Sequence, residues 1–573
     1  MDRIWTRQYD PSFKPSVTYP PKTLYGLVRD GAVRCPDRTA VSFMGRQISY
    51  AELVRLVDTL ADRLVALGVE RGSVATLCLP NIPDGVIAFY AVNKLGGVAN
   101  MVHPLTPPEE LQHYINTTES DYLFVLDAFL PKHLGMLERS RIRKTIVSSV
   151  PDYLPPLMAA GFWLKSGRKI SRVPVSDKIL TWKALLSQPV GTQPADEADD
   201  PHAPAVYLHS GGTTGSPKTI VLSSYNLNVL AVQGPQIIGF DLDTFDPGSV
   251  DFSMVSILPM FHGFGLCMGI HTILANGMRS ILVPQFSPDT LAKVIQKEKP
   301  SMIAAVPTLL EGIMKSKRLA KADLSCLTAV FCGGDSLPSE LKNRFDAFVR
   351  EHNGTCQVRE GYGLTETVTV CAVNPIRTNR AGTVGVPLAD IDMMVVEPGT
   401  ENELPLGQDG EFCIAGPTVM LEYLHDEEAT AETVRTHADG KRWVHTGDYG
   451  HVDEDGFFHF KQRIKRILKV SGIPVFPSQI EDILMKVSGV REACVIGVPH
   501  PYKMQVVKAF IARAADAPPE DVMRESIVRH CTDNIIKYAV PVEIEFREML
   551  PRTKVGKVDF VALEREELAK REL

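Results

Sequence analysis

The apolar run Ala205-Val206-Tyr207-Leu208 leads almost directly into Ser210-Gly211-Gly212-Thr213-Thr214-Gly215-Ser216-Pro217-Lys218. A strand that stops at so many glycines and hydroxyls is followed by a tight turn, because glycine lets the backbone fold back on itself and approach a ligand closely. Successive N–H groups in such a turn form an anion-binding concavity, to which the hydroxyls and Lys218 add donors and charge. The segment is suited to a polyphosphate. It is not the G-x-x-x-x-G-K-[ST] loop, because Lys218 follows a proline and lies three residues after the last glycine. A solvated linker is the plain alternative, but linkers seldom follow a strand and end in Pro-Lys.

The rest of the chain is read around that loop. Its 573 residues suggest about four domain-sized units, or fewer if they are the larger units common in α/β enzymes. An apolar share of 44% is ample for large cores. The net charge of −7 and the pI near 6.1 leave no basic footprint for nucleic acid. The cysteines are scattered without a C-x-x-C pair, and Cys326 and Cys332 read as small buried hydrophobes, which suits a reduced intracellular protein. Met1 to Trp5 lacks the layout of a signal peptide. Ser253 to Ala275 is the most apolar long stretch, but Pro259, His262, His271 and its glycines predict a buried strand, turn and helix rather than a membrane span.

Helical and strand patterns alternate through most of the sequence, as in an α/β architecture. Leu53, Leu56, Val57, Leu60, Leu64 and Leu67 recur at helical spacing and end at Gly68, a C′ residue. Val74 to Leu79, Met302 to Val306 and Leu327 to Phe331 read as strands. The last hundred or so residues change character: a basic stretch, Lys461 to Lys469, precedes Ser478-Gln479-Ile480-Glu481, which has the capping-box form opening a helix. Strands at Ala493 to Val498 and Val507 to Ala512 and a helix from about Pro519 follow. We divide the chain into residues 1–464 and a small α+β unit, 465–573. Residues 151–172 combine Tyr153, Leu154, Leu157, Met158, Phe162 and Trp163 with Lys165, Arg168, Lys169 and Arg172. That mixture suits the edge of an anionic bilayer; packing as a surface insertion is the equal alternative.

Three further segments carry chemistry. In Glu360-Gly361-Tyr362-Gly363-Leu364-Thr365-Glu366-Thr367 the glycines free the backbone, Tyr362 offers a stacking face and Glu366 a hard oxygen ligand suited to Mg²⁺, although a tight turn around a core tyrosine has the same pattern. In Trp443-Val444-His445-Thr446-Gly447-Asp448 an aspartate after a Thr-Gly turn can accept both hydroxyls of a ribose, or simply brace the turn. Gln462-Arg463-Ile464-Lys465 follows with two cations. Pro551-Arg552-Thr553-Lys554-Val555-Gly556-Lys557 is a loop presenting Lys557, or a solvated basic turn.

The order of these four segments resembles the motif order of the adenylate-forming superfamily of acyl-CoA synthetases, luciferases and peptide-synthetase adenylation domains. The likeness extends along nearly the whole chain, through Ser49-Tyr50-Ala51-Glu52-Leu53, Lys94-Leu95-Gly96-Gly97, Pro259-Met260-Phe261-His262 and Cys332-Gly333-Gly334-Asp335. Gly211 beside Gly212, the Glu360 to Glu366 string, Asn374-Pro375 and the 151–172 insertion look most like bacterial long-chain fatty acid–CoA ligases. The resemblance implies a large N-terminal domain of layered sheets and helices with a small barrel-like subdomain, and a hinged α+β C-terminal domain. It implies activation of a carboxylate by ATP to acyl-AMP and pyrophosphate, then capture by coenzyme A, with Mg²⁺ as cofactor. A medium to long fatty acid is the expected substrate and the cytoplasm, or the inner membrane face, the expected location. An aryl acid or a carrier-protein acceptor is the alternative, and a silent nucleotide sensor is opposed by the presence of Lys557, Glu366 and Asp448.

Carried over residue by residue, the resemblance gives Ser210 to Lys218 the β- and γ-phosphates, Tyr362 the adenine and Gly333, Gly334 and Asp335 the lining of the adenine and acyl pocket. Glu360, Gly361 and Gly363 flank that pocket. Asp448 and Arg463 take the ribose, Glu366 and Thr213 the Mg²⁺, Thr365 the α-phosphate, and His262 closes the acyl pocket. Lys557 bridges carboxylate and α-phosphate, Lys465 is the pivot, and Lys469 to Gly472 line the pantetheine tunnel after rotation. Thr219, Gln462 and Arg466 depart from the usual glycine, glycine and acidic residue, and bear on ATP affinity and domain rotation.

Overall fold

The structure is a computed structural model that describes residues 3–154, 158–161, 173–174, 176–188, 195–210, 218–249, 251–471, 473–500, 504–553 and 556–571. Most of the phosphate-loop segment (Gly211 to Pro217), Gly472 and the basic part of the 151–172 insertion lie outside the described residues. The chain divides into two compact units. The first holds Met1–Ser210, Lys218–Met393 and Ile414–Val444, and the second Gly211–Pro217, Met394–Cys413 and His445–Leu573.

Alternating apolar runs and amphipathic helices build two large sheets in the first unit. Among the described residues one has nine strands, with Ala329–Cys332 between Met302–Ala305 and Val358–Tyr362, all parallel. The other has eight, in which Pro204–His209 lies between Val98–Met101, parallel to it, and Thr219–Ser223, antiparallel to it. Parallel strands covered on both faces read as unbroken apolar runs, and Tyr122–Leu126, Met302–Ala305 and Ala329–Cys332 are buried throughout. The leucine-rich segment is the helix Tyr50–Ala66, capped at its start by the Ser49 side chain on Glu52 N–H and ended by Gly68 at φ +89°. Ser253–Ser256 is a strand followed by helix at Phe264–His271 and Thr272–Ala275, and no helix among the described residues is long and apolar enough to cross a membrane.

In the second unit a hairpin of Val490–His500 and Met504–Arg513 is extended by Leu468–Val470 and Ile473–Val475 on one side and by Glu543–Arg547, parallel, on the other. Helices Pro477–Leu484 and Glu520–Asn534 bring Ile480, Leu484, Met523 and Ile527 onto Val507 and Ile511. The capping box expected at Ser478 is not formed. Pro477, with its fixed φ and no N–H, starts the helix two residues earlier, with Phe476 at the N-cap. Ser478 instead donates to the Lys461 carbonyl (2.7 Å), and Glu481 accepts from Val495 N–H (2.7 Å) and pairs with Arg466. Arg466 thereby belongs to the packing of the C-terminal segment.

A charge cluster holds the C-terminal helix Phe560–Arg571 to this sheet. Lys508 reaches Glu545 at 2.8 Å and Glu567 at 2.9 Å, and Arg547 reaches Glu545 at 2.8 Å. Burial alone would raise the Glu545 carboxyl, but hydrogen bonds and charge from Lys508 and Arg547 bring it down to about 2. A carboxylate depressed on folding stabilises the fold above its unfolded pKa, and that contribution is lost as pH falls toward the folded value. The melting temperature is therefore expected to fall steeply between about pH 4.5 and pH 2, and Glu545→Gln to flatten that part of the profile. An equally steep acid limb in the variant would assign the loss to other carboxylates.

Candidate active site

The strand pair Pro204–His209 and Thr219–Ser223 brings the two ends of the glycine-rich segment together. Ser210 N–H donates to the Lys218 carbonyl (2.9 Å), and Lys218 N–H to Ser210 Oγ (3.0 Å). The strand Glu422–Tyr423 pairs next to Thr219–Ser223, with Tyr423 opposite Ile220. That register sets the Tyr423 ring under the Lys218 ammonium, 4.6 Å from its centroid, and the Tyr423 hydroxyl donates to Glu366 Oε1 at 2.7 Å. Tyr423 thus links the loop cation to the carboxylate, a connection that its position outside every motif concealed.

Glu366 lies on the short turn Thr365–Thr367, fixed by Thr367 and Thr369 N–H groups on the Leu364 carbonyl and by Met420 N–H on its own carbonyl (2.8 Å). Val368 (φ +57°) and Thr369 (φ +81°) follow in the left-handed region, which β-branched residues rarely adopt. Such strain persists only where surrounding contacts over-determine it, commonly at functional sites. Here a Cβ on Gly363 would meet the Thr369 carbonyl oxygen at 2.1 Å, and a Cβ on Gly263 would meet Thr369 Oγ1 at 2.3 Å. The turn is therefore packed directly against the residue that follows His262. His262 itself accepts from Phe264 N–H on Nδ1 (3.3 Å).

Tyr362 ends the strand Val358–Tyr362, whose neighbour Ala329–Cys332 runs out into Gly333, Gly334 and Asp335. A Cβ on Gly333 would come 3.0 Å from the Gly361 carbonyl, so the two strand ends approach closely. Glu360 is buried and accepts from Leu337 N–H (3.3 Å), which makes it a brace of the Gly333–Asp335 segment. Asn374, fully buried, donates to the Thr383 carbonyl (2.8 Å) and accepts from Arg380 N–H (3.0 Å) and Thr383 Oγ1 (3.1 Å), holding the returning chain.

In the second unit Asp448 does not follow a turn. It lies inside the continuous strand Arg442–Val452, where Gly447 at φ +67° kinks the strand and the register shifts between Tyr449 and Gly450. The expected Thr-Gly turn is a bulge-like kink, because the antiparallel partner Phe458–Arg463 continues past it. Asp448 and Arg463 are paired in register, and Arg463 Nε stands 3.1 Å from Asp448 Oδ1. Glu411 fixes the kink, accepting from Gly447 N–H (2.9 Å) beside His445 (3.3 Å). Burial opposes its ionisation, but those two contacts hold its carboxyl below the usual range. Lys557 is exposed on a separate turn closed by Thr553 N–H on the Lys557 carbonyl (2.8 Å), with Gly556 at φ +86°. Lys465, in the short turn Ile464–Arg466, and Lys469 are also exposed. Gly211, Gly212, Thr213, Thr214, Gly215, Ser216 and Gly472 lie outside the described residues.

A model of the AMP-binding enzymes matches residues 28–424, and one of the AMP-binding enzyme C-terminal domain matches residues 479–557. The chain belongs to the AMP-binding enzymes. Within this family it is 30% identical over 557 residues to a long-chain-fatty-acid–CoA ligase of Bacillus subtilis (strain 168), covering 97% of this chain and 96% of that one. It is also 30% identical over 509 residues to a probable 4-coumarate–CoA ligase 3 of Dictyostelium discoideum, covering 88% of each. In fold it matches the crystal structure of an anthranilate–CoA ligase in complex with anthranoyl-AMP, with a TM-score of 0.82 at 22% identity over 98% of this chain and all of that one. This AMP-binding enzyme is an AMP-forming acid–CoA ligase with the adenylate-forming fold.

Among the described residues of this AMP-binding enzyme no three His, Cys, Asp or Glu side chains are grouped to cage a metal. A single carboxylate such as Glu366, with one oxygen engaged by Tyr423, fits Mg²⁺ because that ion is usually held by one or two carboxylates together with substrate phosphates and water.

Proposed function

We propose that this AMP-binding enzyme activates fatty acids of medium to long chain, forming acyl-AMP and then acyl-CoA. The observation that carries the fatty-acid reading is the likeness along nearly the whole chain to long-chain-fatty-acid–CoA ligases, and a small apolar gap between the Met302 and Phe331 strands and the helix end at Ile237 accompanies it. Ile237, Ile238, Met254, Met268, Met302 and Phe331 line it. Strand alternation explains its character: Val255, Ile303 and Val330 face a buried aliphatic core, which turns Met254, Met302 and Phe331 to the other face. Methionines make such a wall adaptable to flexible chains. The likeness to 4-coumarate–CoA ligases supports an aryl acid as the second reading.

In the proposed reaction Lys218 and the loop residues Ser210 to Ser216 bind the β- and γ-phosphates, and Tyr362 stacks on adenine within the Gly333–Asp335 and Glu360–Gly363 strand ends. Asp448 and Arg463 hold the ribose. Glu366, with Thr213, would hold Mg²⁺, which supplies positive charge against the phosphate oxygens. Thr365 contacts the α-phosphate, His262 closes the acyl pocket, and Lys557 draws carboxylate and α-phosphate together. Residues 465–573 then rotate about Lys465, replacing Lys557 with Lys469 and Gly472 beside the pantetheine arm of coenzyme A. The enzyme works in the cytoplasm; residues 151–172 meet the inner membrane face in one reading and pack as a surface insertion in the other, which the burial of Pro151 supports.

The test is ATP–pyrophosphate exchange with acetate, benzoate, octanoate and palmitate, repeated as AMP release with coenzyme A. Exchange with octanoate or palmitate and coenzyme A-dependent thioester is the expected result. Exchange with benzoate alone would establish the aryl reading, and exchange without any effect of coenzyme A would point to a carrier-protein acceptor.

A further inference from the structure

A chain of polar side chains, all buried but the half-buried His209, crosses four neighbouring strands of the eight-stranded sheet, from Thr219 through His209 and Asn100 to Thr76. The backbone register aligns them: Thr219 is opposite His209, and Asn100 is opposite Thr76. Their side chains are joined in sequence. Thr219 Oγ1 lies 3.1 Å from His209 Nδ1, and His209 Nε2 lies 2.7 Å from Asn100 Oδ1. Asn100 Nδ2 donates to Thr76 Oγ1 (2.9 Å) and Thr118 Oγ1 (3.1 Å), and Ser120 Oγ closes the far end against both hydroxyls (2.7 and 2.8 Å). Asn100, Thr76, Thr118, Ser120 and Thr219 are all buried.

The direction of this chain follows from donor inventory. Asn100 uses its amide N–H groups on Thr76 and Thr118, so its oxygen faces His209 and must accept. That places the imidazole hydrogen on Nε2 and leaves Nδ1 as an acceptor, for which the Thr219 hydroxyl is the donor. Burial, with His113 nearby, keeps the ring neutral by pushing His209 down to about 3. The ring also lies 4.0 Å, centroid to centroid, from Tyr114 on the helix Pro108–Thr117. His209 and Thr219 are the next cross-strand pair below Ser210 and Lys218, which close the glycine-rich segment by two backbone-anchored bonds.

We infer that His209 and Thr219 form a positioning pair that fixes the base of the phosphate loop, with Thr219 supplying a hydroxyl tether where a glycine is usual. A glycine at this point leaves the loop base held by backbone pairing alone. With threonine, the rung beneath Lys218 is tied across Asn100 into the sheet interior, so the Lys218 backbone has one position before ligand arrives. Preorganisation of this kind acts on the affinity for the ligand that the loop holds. Neither residue touches the reacting atoms.

This inference rests on reading the Ser210–Lys218 segment as the ATP phosphate site. The experiment measures ATP affinity of the full chain by calorimetry, alongside pyrophosphate exchange and melting temperature. Thr219→Val keeps the shape and removes the donor, and it is expected to weaken ATP binding about tenfold, because a loop base that has lost its tether must be ordered when ATP binds. KM for the acid and for coenzyme A should stay within twofold of wild type, and Thr219→Ser should restore ATP affinity. His209→Phe, which keeps the stacking on Tyr114, should weaken ATP binding similarly, with the double variant no worse than either single one. A lower melting temperature with unchanged ATP affinity in both Thr219→Val and His209→Phe would overturn the positioning role and leave only packing. Wild-type ATP binding without exchange in any acid would sink the ligase reading instead, while the affinity comparison would still decide the pair. If Thr219→Val does not fold, Thr219→Ser and His209→Phe carry the test by the same criterion.

Discussion

Lys557→Ala should lose acyl-AMP formation by about two to three orders of magnitude, the usual cost of removing one group that stabilises charge in a transition state. The argument is electrostatic. A carboxylate and an α-phosphate, both negative, must meet, and the chain offers an exposed lysine on a turn whose backbone is closed by Thr553 and whose Gly556 needs a left-handed φ. Arg552 braces the turn from outside, donating to the Gly556 carbonyl (3.0 Å) and pairing with Glu492 (2.6 Å). Alanine at position 557 removes the ammonium and leaves these contacts intact, so the melting temperature should hardly move. Thioester formation from preformed acyl-AMP and coenzyme A should survive, because the proposed rotation removes Lys557 from the site before that step. Measuring the half-reactions separately decides the matter: equal loss of both would contradict a residue that serves adenylation alone.

The motif residues were legible because their chemistry is local, whereas the residues that hold them were not. A glycine at 363 is readable as backbone freedom; that its space is taken by the Thr369 carbonyl is a tertiary fact. Alternating patterns indicated the parallel strands Met302–Ala305 and Ala329–Cys332, since burial on both faces writes itself into continuous apolar runs; the strand Val358–Tyr362, which contains Arg359 and Glu360, carries no such run. Tyr423, Glu411 and His209 carried no signal, because each works through a partner 34 or more residues away or through a contact fixed only by sheet register, as with Tyr423 on Glu366, 57 residues apart. Local rules also misled at two points. Ser478 and Glu481 have capping-box spacing, yet Pro477 starts the helix and both side chains serve neighbouring strands. Thr446-Gly447 reads as a turn, yet pairing with Phe458–Arg463 keeps the strand going and turns glycine's freedom into a kink.

That kind of long-range support makes Glu366 the second residue whose loss should be severe. Glu366→Gln preserves size and leaves an oxygen to accept from Tyr423, but it removes the negative charge that suits the side chain to a hard cation. Adenylation at a fixed Mg²⁺ concentration is expected to fall about a hundredfold or more, exceeding the ~10–100-fold typical of altering a group that merely orients a metal ligand. Tyr423→Phe falls in that lesser class: it frees the carboxylate from its hydroxyl partner and leaves the Lys218 ammonium over an aromatic face. Its expected cost is about tenfold. Titrating Mg²⁺ separates the two cases. The Tyr423→Phe deficit should shrink at high Mg²⁺, since a disordered carboxylate still binds when the ion is abundant. The Glu366→Gln deficit should persist, and wild-type adenylation by that variant at ordinary Mg²⁺ would remove Glu366 from the proposed metal role.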